Sequence, residues 1–411
     1  MAELLIRPTR NDHVAIADLL APSAATLVAP VRRPISRLVI DAPLALEFDQ
    51  YREAAADSGT PVLIDPLTTL LQTDTDPGIG WAKLPYARSE AVESILLENP
   101  FYLPGLVEQV VEFQVAHGAS AIIPPYFYAQ SPDDPAFSAT LEALRATARY
   151  LRANHPGLPL VAVLCGAHRG FARPTTYATG VDRFASAALD LGPQTLALCL
   201  SPNGAGDEGQ AKVLQLFTVA QRLKASGAHV IAWRQGFYGP GLVAAGLDGY
   251  ETGTGVGERT NMADFARNRQ PGCRDGDGGY THTPVFFEAL ARSISNKAAQ
   301  VLLEQRTWRG QLVCHDVRCC PHGAESMLKG QRRQHNVRTR ARALRDLEQM
   351  PHSAWRLHQV AKDAYGAALM TNKVNVVLAE EGEKTKLPTR GHESLAHVAN
   401  LFSQRSESQA A

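Results

Sequence analysis

The chain has no long apolar run and no excess of charge of one sign. None of its apolar stretches approaches the roughly 18–20 residues that span a bilayer, so we expect no membrane partner. The first residues, Met1 to Arg7, lack the basic and then apolar pattern of a secretory signal, which favours a cytoplasmic protein. Lys and Arg number 41 and Asp and Glu number 41, so any affinity for nucleic acid must come from a local patch.

Two signatures of common folds are also missing. The chain shows no internal repeat with a period of roughly 20–50 residues, which disfavours a solenoid or a propeller. No glycine-rich phosphate fingerprint follows the first predicted strand, Arg37 to Asp41. A doubly wound open sheet usually carries that fingerprint and is therefore only the alternative fold.

The order of predicted elements favours a barrel. Apolar runs predict strands at 37–41, 61–65, 119–123, 160–164, 195–200, 229–233, 247–251 and 310–314. The first two runs are continuous, as in parallel strands covered on both faces. Helical patterns separate most of the runs, including one over 284–305. We therefore predict an α/β fold, a TIM-type (β/α)8 barrel with a zinc-binding, helical C-terminal extension.

Four regions follow from this prediction. Residues 1–36 are an irregular arm or a packed helix, and residues 37–320 are the barrel. Residues 321–402 form a helical segment associated with zinc, and residues 403–411 form a disordered tail.

The most informative stretch runs from Gly246 to Asn261. It reads as a short strand ending at Glu251, followed by a glycine-rich loop whose backbone can approach a ligand closely. A carboxylate at the carboxyl end of a barrel strand is a plausible catalytic placement. A solvated Glu in a surface turn is the alternative.

Other polar side chains follow the predicted strands. Asp65 ends the second strand and forms a pair of carboxylates with Glu251, suited to act as base and nucleophile. Asn203, Gln235 and Arg234 supply amide and guanidinium groups that could bind a planar heterocycle or a phosphate. Tyr126 offers an aromatic stacking surface. Asp65 could instead cap a turn before Pro66, and Arg234 could simply neutralise a carboxylate.

Cysteine is scarce, but three of the six residues lie within seven positions. Cys314, Cys319 and Cys320 are followed by His335, and thiolates with imidazole are the ligands that tetrahedral zinc prefers. His322 is the alternative fourth ligand, and unliganded thiols are the alternative to a metal site.

A run of arginines follows the cysteines. On a helix, such a run makes a basic face suited to the phosphates of nucleic acid. The residues predicted to contact phosphates are Arg332, Arg333, Arg338, Arg340 and Arg342. A solvated surface helix is the alternative.

Together these patterns resemble the tRNA-guanine transglycosylase family and its relatives that insert 7-deazaguanine into DNA. Val62-Leu63-Ile64-Asp65 is similar to the strand that carries the family's general-base aspartate. Gly246-Leu247-Asp248-Gly249-Tyr250-Glu251 is similar to Gly-x-Asp-x-Phe-Asp, with Glu251 at the nucleophile. Arg259 and Asn261 fall where the family has an Arg-Asn pair, and His335-Asn336 resembles the His-Asn that closes its zinc site.

The resemblance covers residues 60–345 and includes clear departures. Pro66 to Thr69 replace the family's Ser-Gly-Gly-Phe-Gln, while Pro124-Pro125 and Ser201 to Gly204 replace its base-recognition residues. The resemblance implies exchange of a purine or 7-deazapurine base in tRNA or DNA through a covalent glycosyl–Glu251 intermediate. It also implies proton handling by Asp65, substrate contact by Arg259, and Zn²⁺ as a cofactor.

Two other functions compete with this prediction. A catalytically inactive, zinc-stabilised barrel that binds nucleic acid or a protein partner would explain the missing base-recognition motifs. An unrelated barrel enzyme acting on a small metabolite would need a catalytic metal at the barrel mouth, and the sequence has no His-x-His after its first predicted strand. The base, the choice between DNA and RNA, and the choice between monomer and homodimer stay open.

Overall fold

The structure is a computed structural model with side chains. It describes residues 2–21, 33–73, 79–97, 99, 101–173, 175, 179–192, 195–204, 208–255, 258, 260–263, 283–383 and 386–410. The strands are β1 Glu3–Arg7, β2 Arg37–Asp41, β3 Val62–Asp65, β4 Val161–Ala167, β5 Thr195–Ser201, β6 Val230–Ala232, β7 Gly249–Gly253, β8 Val285–Phe287 and β9 Arg292–Ile294. Among the described residues, none of the helices combines the length and the apolarity needed to cross a membrane.

The helices surround one large sheet and continue beyond it. In the first half of the chain they are α1 His13–Leu20, α2 Ala42–Glu47, α3 Gln50–Ser58, α4 Ile79–Ala82, α5 Ser94–Leu97, α6 Tyr102–Ala116, α7 Pro135–Asn154, α8 His168–Phe171, α9 Val181–Leu189 and α10 Gln210–Lys224. Those that follow are α11 Gly239–Ala244, α12 Asn296–Glu304, α13 Arg306–Leu312, α14 Ala324–Leu328, α15 Arg332–Glu348, α16 Ser353–Glu380 and α17 Arg390–Ala410.

Seven parallel strands form the sheet, in the order β3-β2-β1-β7-β6-β5-β4. Every residue of β3, β4 and β5 is buried, as expected where helices cover one face and the curled sheet covers the other. This confirms an α/β architecture built on a parallel sheet. A parallel arrangement also brings the carboxyl ends of all seven strands to one edge.

The segment Ala121–Ile122 lies between the two edge strands. Ala121 forms a parallel bridge with Leu63 of β3, and Ile122 forms one with Leu160, the residue before β4. Side chains from both halves of the sheet meet in one buried interior cluster, which includes Leu5, Val39, Leu63, Ala121, Ile123, Val161, Val163, Ala197, Ile231 and Trp233. The sheet is therefore curled around an apolar interior. Among the described residues it has seven strands, so the predicted closed barrel of eight strands is not formed.

The prediction of an irregular arm or a helix is wrong for residues 3–7. These residues form β1, which lies between β2 and β7 near the middle of the sheet. Leu4, Leu5 and Ile6 are each at most 2 % exposed, so this short run is a core strand. Its three apolar residues were too few to predict a strand without knowledge of its neighbours.

The prediction of a strand at 310–314 is also wrong. Residues Arg306–Leu312 form α13, and the predicted helix over 284–305 begins with the antiparallel hairpin of β8 and β9 before α12. The aromatic and β-branched run Val285-Phe286-Phe287 favours a strand locally, and tertiary packing completes the hairpin.

The C-terminal helices pack against both the sheet domain and the hairpin. Leu357 and Val360 of α16 join the main core, while Val374 and Leu378 of the same helix join a second core around the hairpin. The tail predicted to be disordered is instead helical as far as Ala410. Its first residue, Ser403, is buried and donates a hydrogen bond of 2.9 Å to the carbonyl oxygen of Ala354.

Candidate functional site

Five charged side chains, four from separate strands and one from the loop after β6, meet at the carboxyl edge of the sheet. This group, the mouth cluster, consists of Arg7, Asp41, Asp65, Arg234 and Glu251. The first three end β1, β2 and β3, and Glu251 lies in β7 opposite Leu5 of β1. Because the sheet is parallel, residues far apart in sequence share one edge.

Arg7 is the centre of the mouth cluster. Its Nη2 lies 2.9 Å from Asp65 Oδ2 and donates to Glu251 Oε2 at 3.1 Å, so these two oxygens lie within 6.0 Å of each other. Arg7 also donates through Nε to the other Glu251 oxygen and through Nη1 to Asp41. The two carboxylates predicted to carry the chemistry are therefore neighbours, joined by an arginine that the sequence had not singled out.

The mouth cluster is buried and carries a formal charge of −1, from three carboxylates and two guanidinium groups. Burial alone would lower the pKa of Arg7, but Glu251, Asp41 and Asp65 raise it well above its usual value. Arg7 is therefore always charged. Glu251 is 1 % exposed, so it can meet a substrate only after its contacts with Arg7 loosen.

Asp65 is fixed by four donors. Its Oδ1 accepts from Leu67 N at 3.0 Å and from the Tyr126 hydroxyl at 2.9 Å, while Oδ2 faces both arginines. Burial, and then the charge of Asp65, raise the pKa of Tyr126 well above its usual value, so this phenol stays a donor. Tyr126, predicted to stack on a substrate, is 1 % exposed and positions Asp65.

One residue of the mouth cluster and one residue beside it have backbone conformations that are unusual without glycine. Leu67 has φ 54° and Arg234 has φ 56°. Such conformations cost free energy and persist where the surroundings enforce them, often at functional sites. Here they turn Leu67 N towards Asp65 and carry Arg234 Nη2 to 3.1 Å from Asp65 Oδ2.

The predicted amide ligands are paired with each other. Asn203 Nδ2 donates to Gln235 Oε1 at 2.9 Å, and Gln235 Nε2 donates to the Leu200 carbonyl at 2.9 Å. The backbone of Asn203 also pairs with that of Thr260. These contacts hold the loops after β5 and β6 together over the interior. Arg259, the remaining predicted substrate ligand, lies outside the described residues.

A second polar group, the Cys–His cluster, lies away from the sheet edge. Ligand atoms of Cys314, Cys319, Cys320 and His335 all lie within 4.8 Å of one another. His335 Nδ1 is 3.3 Å from Cys320 Sγ and 3.5 Å from Cys319 Sγ, and those two sulfurs are 3.9 Å apart. Tetrahedral zinc separates its ligand atoms by roughly 3.6–3.8 Å, so these residues fit a metal of that geometry.

The surroundings of the Cys–His cluster also suit a metal. His335 Nε2 lies 2.8 Å from the Phe286 carbonyl oxygen, so Nε2–H donates there and Nδ1 keeps its lone pair towards the sulfurs. Hydrogen bonds from Cys319 and Cys320 lower the pKa of Cys314, so one thiolate forms readily. The alternative ligand, His322, is exposed and is not part of the cluster.

The predicted basic helix exists as α15, but its arginines face protein partners. Arg333 lies 2.5 Å from Asp12, Arg340 lies 2.6 Å from Glu258, and Arg342 lies 2.6 Å from Glu288. Arg332 and Arg338 donate to the carbonyl oxygens of Thr283 and Arg318. Contact with phosphates would therefore require these arginines to exchange partners.

Sequence reasoning missed Arg7 because it missed β1. The signal was present as Leu4-Leu5-Ile6 followed by a charged residue, the pattern seen at Ile40-Asp41 and Ile64-Asp65. Asp41 ends the first predicted strand, but the sequence assigns it no role. Its role becomes clear only from its contact with Arg7.

No family model matches the chain, and no curated protein matches it. Three solved structures similar to it are the thiamine phosphate pyrophosphorylase of Pyrococcus furiosus, the (S)-3-O-geranylgeranylglyceryl phosphate synthase of Thermoplasma acidophilum, and the carboxyl transferase domain of Rhizobium etli pyruvate carboxylase. The first is 10 % identical, with a TM-score of 0.30 over 65 % of this chain and 95 % of that one. The second is 14 % identical, with a TM-score of 0.31 over 66 % and 91 %. The third is 12 % identical, with a TM-score of 0.35 over 98 % and 60 %, and scores this low assign the chain neither a family nor an activity.

Proposed function

We propose that this chain is a transglycosylase that exchanges a purine-like base in nucleic acid through a covalent glycosyl–Glu251 intermediate. The observation that carries the proposal is the shared Arg7 nitrogen, which keeps Asp65 and Glu251 oxygens within 6.0 Å at the carboxyl edge of a parallel sheet. Retaining glycosidases hold their two carboxylates at about 5–5.5 Å.

The reaction needs one ionised nucleophile and one group that handles a proton. Glu251 attacks the anomeric carbon, a C–O bond forms, the C–N bond breaks, and its electron pair leaves with the base, which takes up a proton from water. Asp65 then takes the proton from the incoming base. The nitrogen of that base attacks the anomeric carbon, and the C–O bond to Glu251 breaks. Splitting one displacement into two such steps lowers the barrier of each.

The charge of the mouth cluster suits a covalent intermediate. When Glu251 becomes an ester it loses its negative charge, which leaves Asp41 and Asp65 opposite Arg7 and Arg234 and brings the formal charge from −1 to zero. The two arginines therefore stay paired after Glu251 has reacted. Arg7 pairs with Glu251 before the reaction and keeps Asp65 in place during it.

We further propose that the Cys–His cluster holds Zn²⁺ in a structural role. Three thiolates and one imidazole complete a tetrahedral shell, and a closed shell has no position left for a substrate. Zinc bound there would cross-link the segment after α13 to α15. His335 would keep its orientation through Nε2–H and the Phe286 carbonyl.

The test is to trap the covalent adduct on single-stranded RNA and DNA oligonucleotides by denaturing electrophoresis and mass spectrometry. Wild-type protein should form it, Glu251→Gln should not, and Asp65→Asn should form it but release it slowly. The matched control is Glu47→Gln, which changes a carboxylate paired with the exposed Arg10 and should leave adduct formation intact. Absence of both adduct and base exchange in wild-type protein would reject the proposal.

One observation favours a second candidate, a barrel that binds nucleic acid or a protein without catalysis. Both oxygens of Glu251 are held by Arg7, and the side chain is buried. In that case Arg7 and Glu251 serve as a structural ion pair. Wild-type and Glu251→Gln proteins would then bind oligonucleotides equally, and neither would form an adduct.

A further inference from the structure

One face of the long helix α16 is exposed and largely apolar. Among the described residues nine large apolar side chains are exposed, and this helix carries four of them: Trp355, Tyr365, Leu369 and Val376. Their exposed fractions lie between 48 % and 60 %. The opposite face, which includes Leu357, Val360 and Val374, is buried against the rest of the chain. Large apolar residues concentrated on the second face of one helix indicate an interaction surface.

The residues of the exposed face follow a heptad pattern. Their positions advance in alternating steps of three and four, and every one of them is exposed: Trp355, His358, Lys362, Tyr365, Leu369, Asn372, Val376 and Ala379. Such steps keep side chains in one line along a helix that packs lengthwise against a second helix. We call this line the α16 seam. Since α16 has 28 residues, it is about 42 Å long and offers room for a whole partner helix.

Gly366 lies beside the seam, within α16, where glycine is less favourable than alanine. Nothing lies within 4 Å of the position that a Cβ would occupy, so the described contacts within the chain do not require glycine there. Glycine does allow another segment to approach the backbone closely. A second helix packed on the seam would use this space.

Two opposite charges lie on either side of the apolar middle of the seam. Lys362 and Glu380 are both exposed and lie about five helical turns apart, so their side chains point in the same direction. They are roughly 27 Å apart along the axis and cannot pair within one helix. In an antiparallel pair of α16 helices, each Lys362 would meet Glu380 of the partner subunit. A parallel pair would place each charge against its own copy.

We propose that α16 of a second copy of this chain packs antiparallel on the α16 seam and forms a homodimer. The two-fold axis lies midway between Lys362 and Glu380, so the two contacts between these charges lie on either side of an apolar centre. There Tyr365 packs against the partner's Val376, and Leu369 lies close to the axis. Apolar and aromatic side chains at the centre, with charges at the rim, are typical of a protein interface. A second copy fits this face because the face is complementary to itself.

Sedimentation equilibrium of the full chain at concentrations up to about 100 µM measures the dimer. One helix from each subunit makes a small interface, so we expect a Kd of about 1–10 µM. Leu369→Lys places a charge beside the axis and should weaken the dimer at least about tenfold. Leu189→Lys is the matched control, because it makes the same change at a leucine of α9 that is 42 % exposed, and it should leave the Kd unchanged.

Charge reversal tests the contact between Lys362 and Glu380. Lys362→Glu and Glu380→Lys should each weaken the dimer about tenfold, because each places like charges at both contacts. The double variant restores opposite charges only between two copies, so it should recover the wild-type Kd to within about threefold. An equimolar mixture of the two single variants should also associate more tightly than either variant alone. Lys329→Glu, which reverses a lysine that is 77 % exposed and lies outside α16, should leave the Kd unchanged.

The substituted side chains are exposed, so the variants should fold, and none of them belongs to the mouth cluster. Wild-type protein that stays monomeric at about 100 µM would overturn the proposal. A Leu369→Lys protein that dimerises as tightly as wild type would show that another face is the interface and would overturn it too. So would a double charge reversal that associates as weakly as the single reversals.

Discussion

The mouth cluster and the Cys–His cluster are both groups of polar side chains withdrawn from water, but they are assembled in opposite ways. The Cys–His cluster takes its residues from positions 314–335, with the three cysteines between α13 and α14 and His335 near the start of α15. The mouth cluster takes its residues from positions 7–251, and each stands on a different strand or loop. The first is a local arrangement, whereas the second exists only because the sheet is parallel and curled.

The two clusters also differ in how their charge is compensated. In the mouth cluster, fixed positive charges on Arg7 and Arg234 oppose three carboxylates, so the protein itself supplies nearly complete neutralisation. The Cys–His cluster has no such cation among its four residues, so its thiolates need a bound metal or must stay protonated. The stability of one cluster should therefore depend on a metal, and that of the other should not.

Removal of the metal should have the largest effect and should separate the clusters most clearly. Chelation, or Cys320→Ser, should lower the free energy of unfolding by at least about 4 kcal/mol if the metal is bound at a thousand times its Kd. Elemental analysis with urea unfolding provides the measurement. Cys165→Ala, which changes a buried interior thiol outside the cluster, should retain the metal. If protein prepared without chelator contained no metal, and if chelation and Cys320→Ser left its free energy of unfolding unchanged, the contrast between the two clusters would be wrong.

Arg7→Met should have the next largest effect. It leaves three carboxylates opposite Arg234 alone, and breaking a buried ion pair from one side costs about 3–5 kcal/mol. Urea unfolding at neutral pH measures the loss. Arg10→Met is the matched control, because Arg10 is 65 % exposed and its pair with Glu47 should contribute less than about 1 kcal/mol. A loss of similar size in both variants would mean that the mouth cluster is not a buried network.

Lowering the pH should distinguish the buried neutral His168 from the buried charge pairs of the mouth cluster. Burial, and then Lys212, lower the pKa of His168 to about 4, from about 6.5 in the unfolded chain. Between these values the unfolded state binds a proton that the native state does not. The contribution of His168 to the free energy of unfolding is therefore complete above pH 6.5. It falls as the pH falls towards 4, by up to about 3 kcal/mol.

The variant His168→Gln should flatten that dependence when unfolding free energies are measured from pH 7 to 4. His168 is 3 % exposed, and its Nε2–H donates to the Lys212 carbonyl at 3.1 Å, a bond that glutamine can replace. Arg7 stays charged throughout this range. An unchanged slope in His168→Gln would show that other groups cause the acid sensitivity.

The smallest effect should come from the hairpin that supports the Cys–His cluster. Ala291 has φ 45°, a left-handed conformation that costs a non-glycine residue about 1 kcal/mol or more. Ala291→Gly should therefore raise the free energy of unfolding by about 0.5–1 kcal/mol, measured by thermal and urea unfolding. Ala289→Gly, in the same turn, should give no gain. A loss of stability in Ala291→Gly would mean that its methyl group is needed for packing.

Much of the local structure could be predicted from the sequence. The strands β2 to β7 lie close to their predicted positions, because short apolar runs mark them, and helices separate most of them as predicted. The cysteine spacing and a nearby histidine predicted which four side chains could meet. In each case the residues that decide the structure are close together in the chain.

The partners of the arginines on the predicted basic face could be found only from the tertiary structure. The charges of Arg333, Arg340 and Arg342 were visible in the sequence, but their partners come from Asp12, Glu258 and Glu288. No local pattern links positions separated by 50 to 320 residues. A helix with many arginines therefore proved to be a packed element with internal ion pairs.

The sequence by itself determined that Asp65 ends a buried strand, that Glu251 stands in another, and that three cysteines lie near His335. These are properties of short segments, in which propensity and spacing act directly. Only the tertiary structure decided that β1 enters the sheet between β2 and β7 and brings Arg7 to both carboxylates. The physical reason is that strand pairing depends on burial against distant partners, which a run of three apolar residues cannot specify alone.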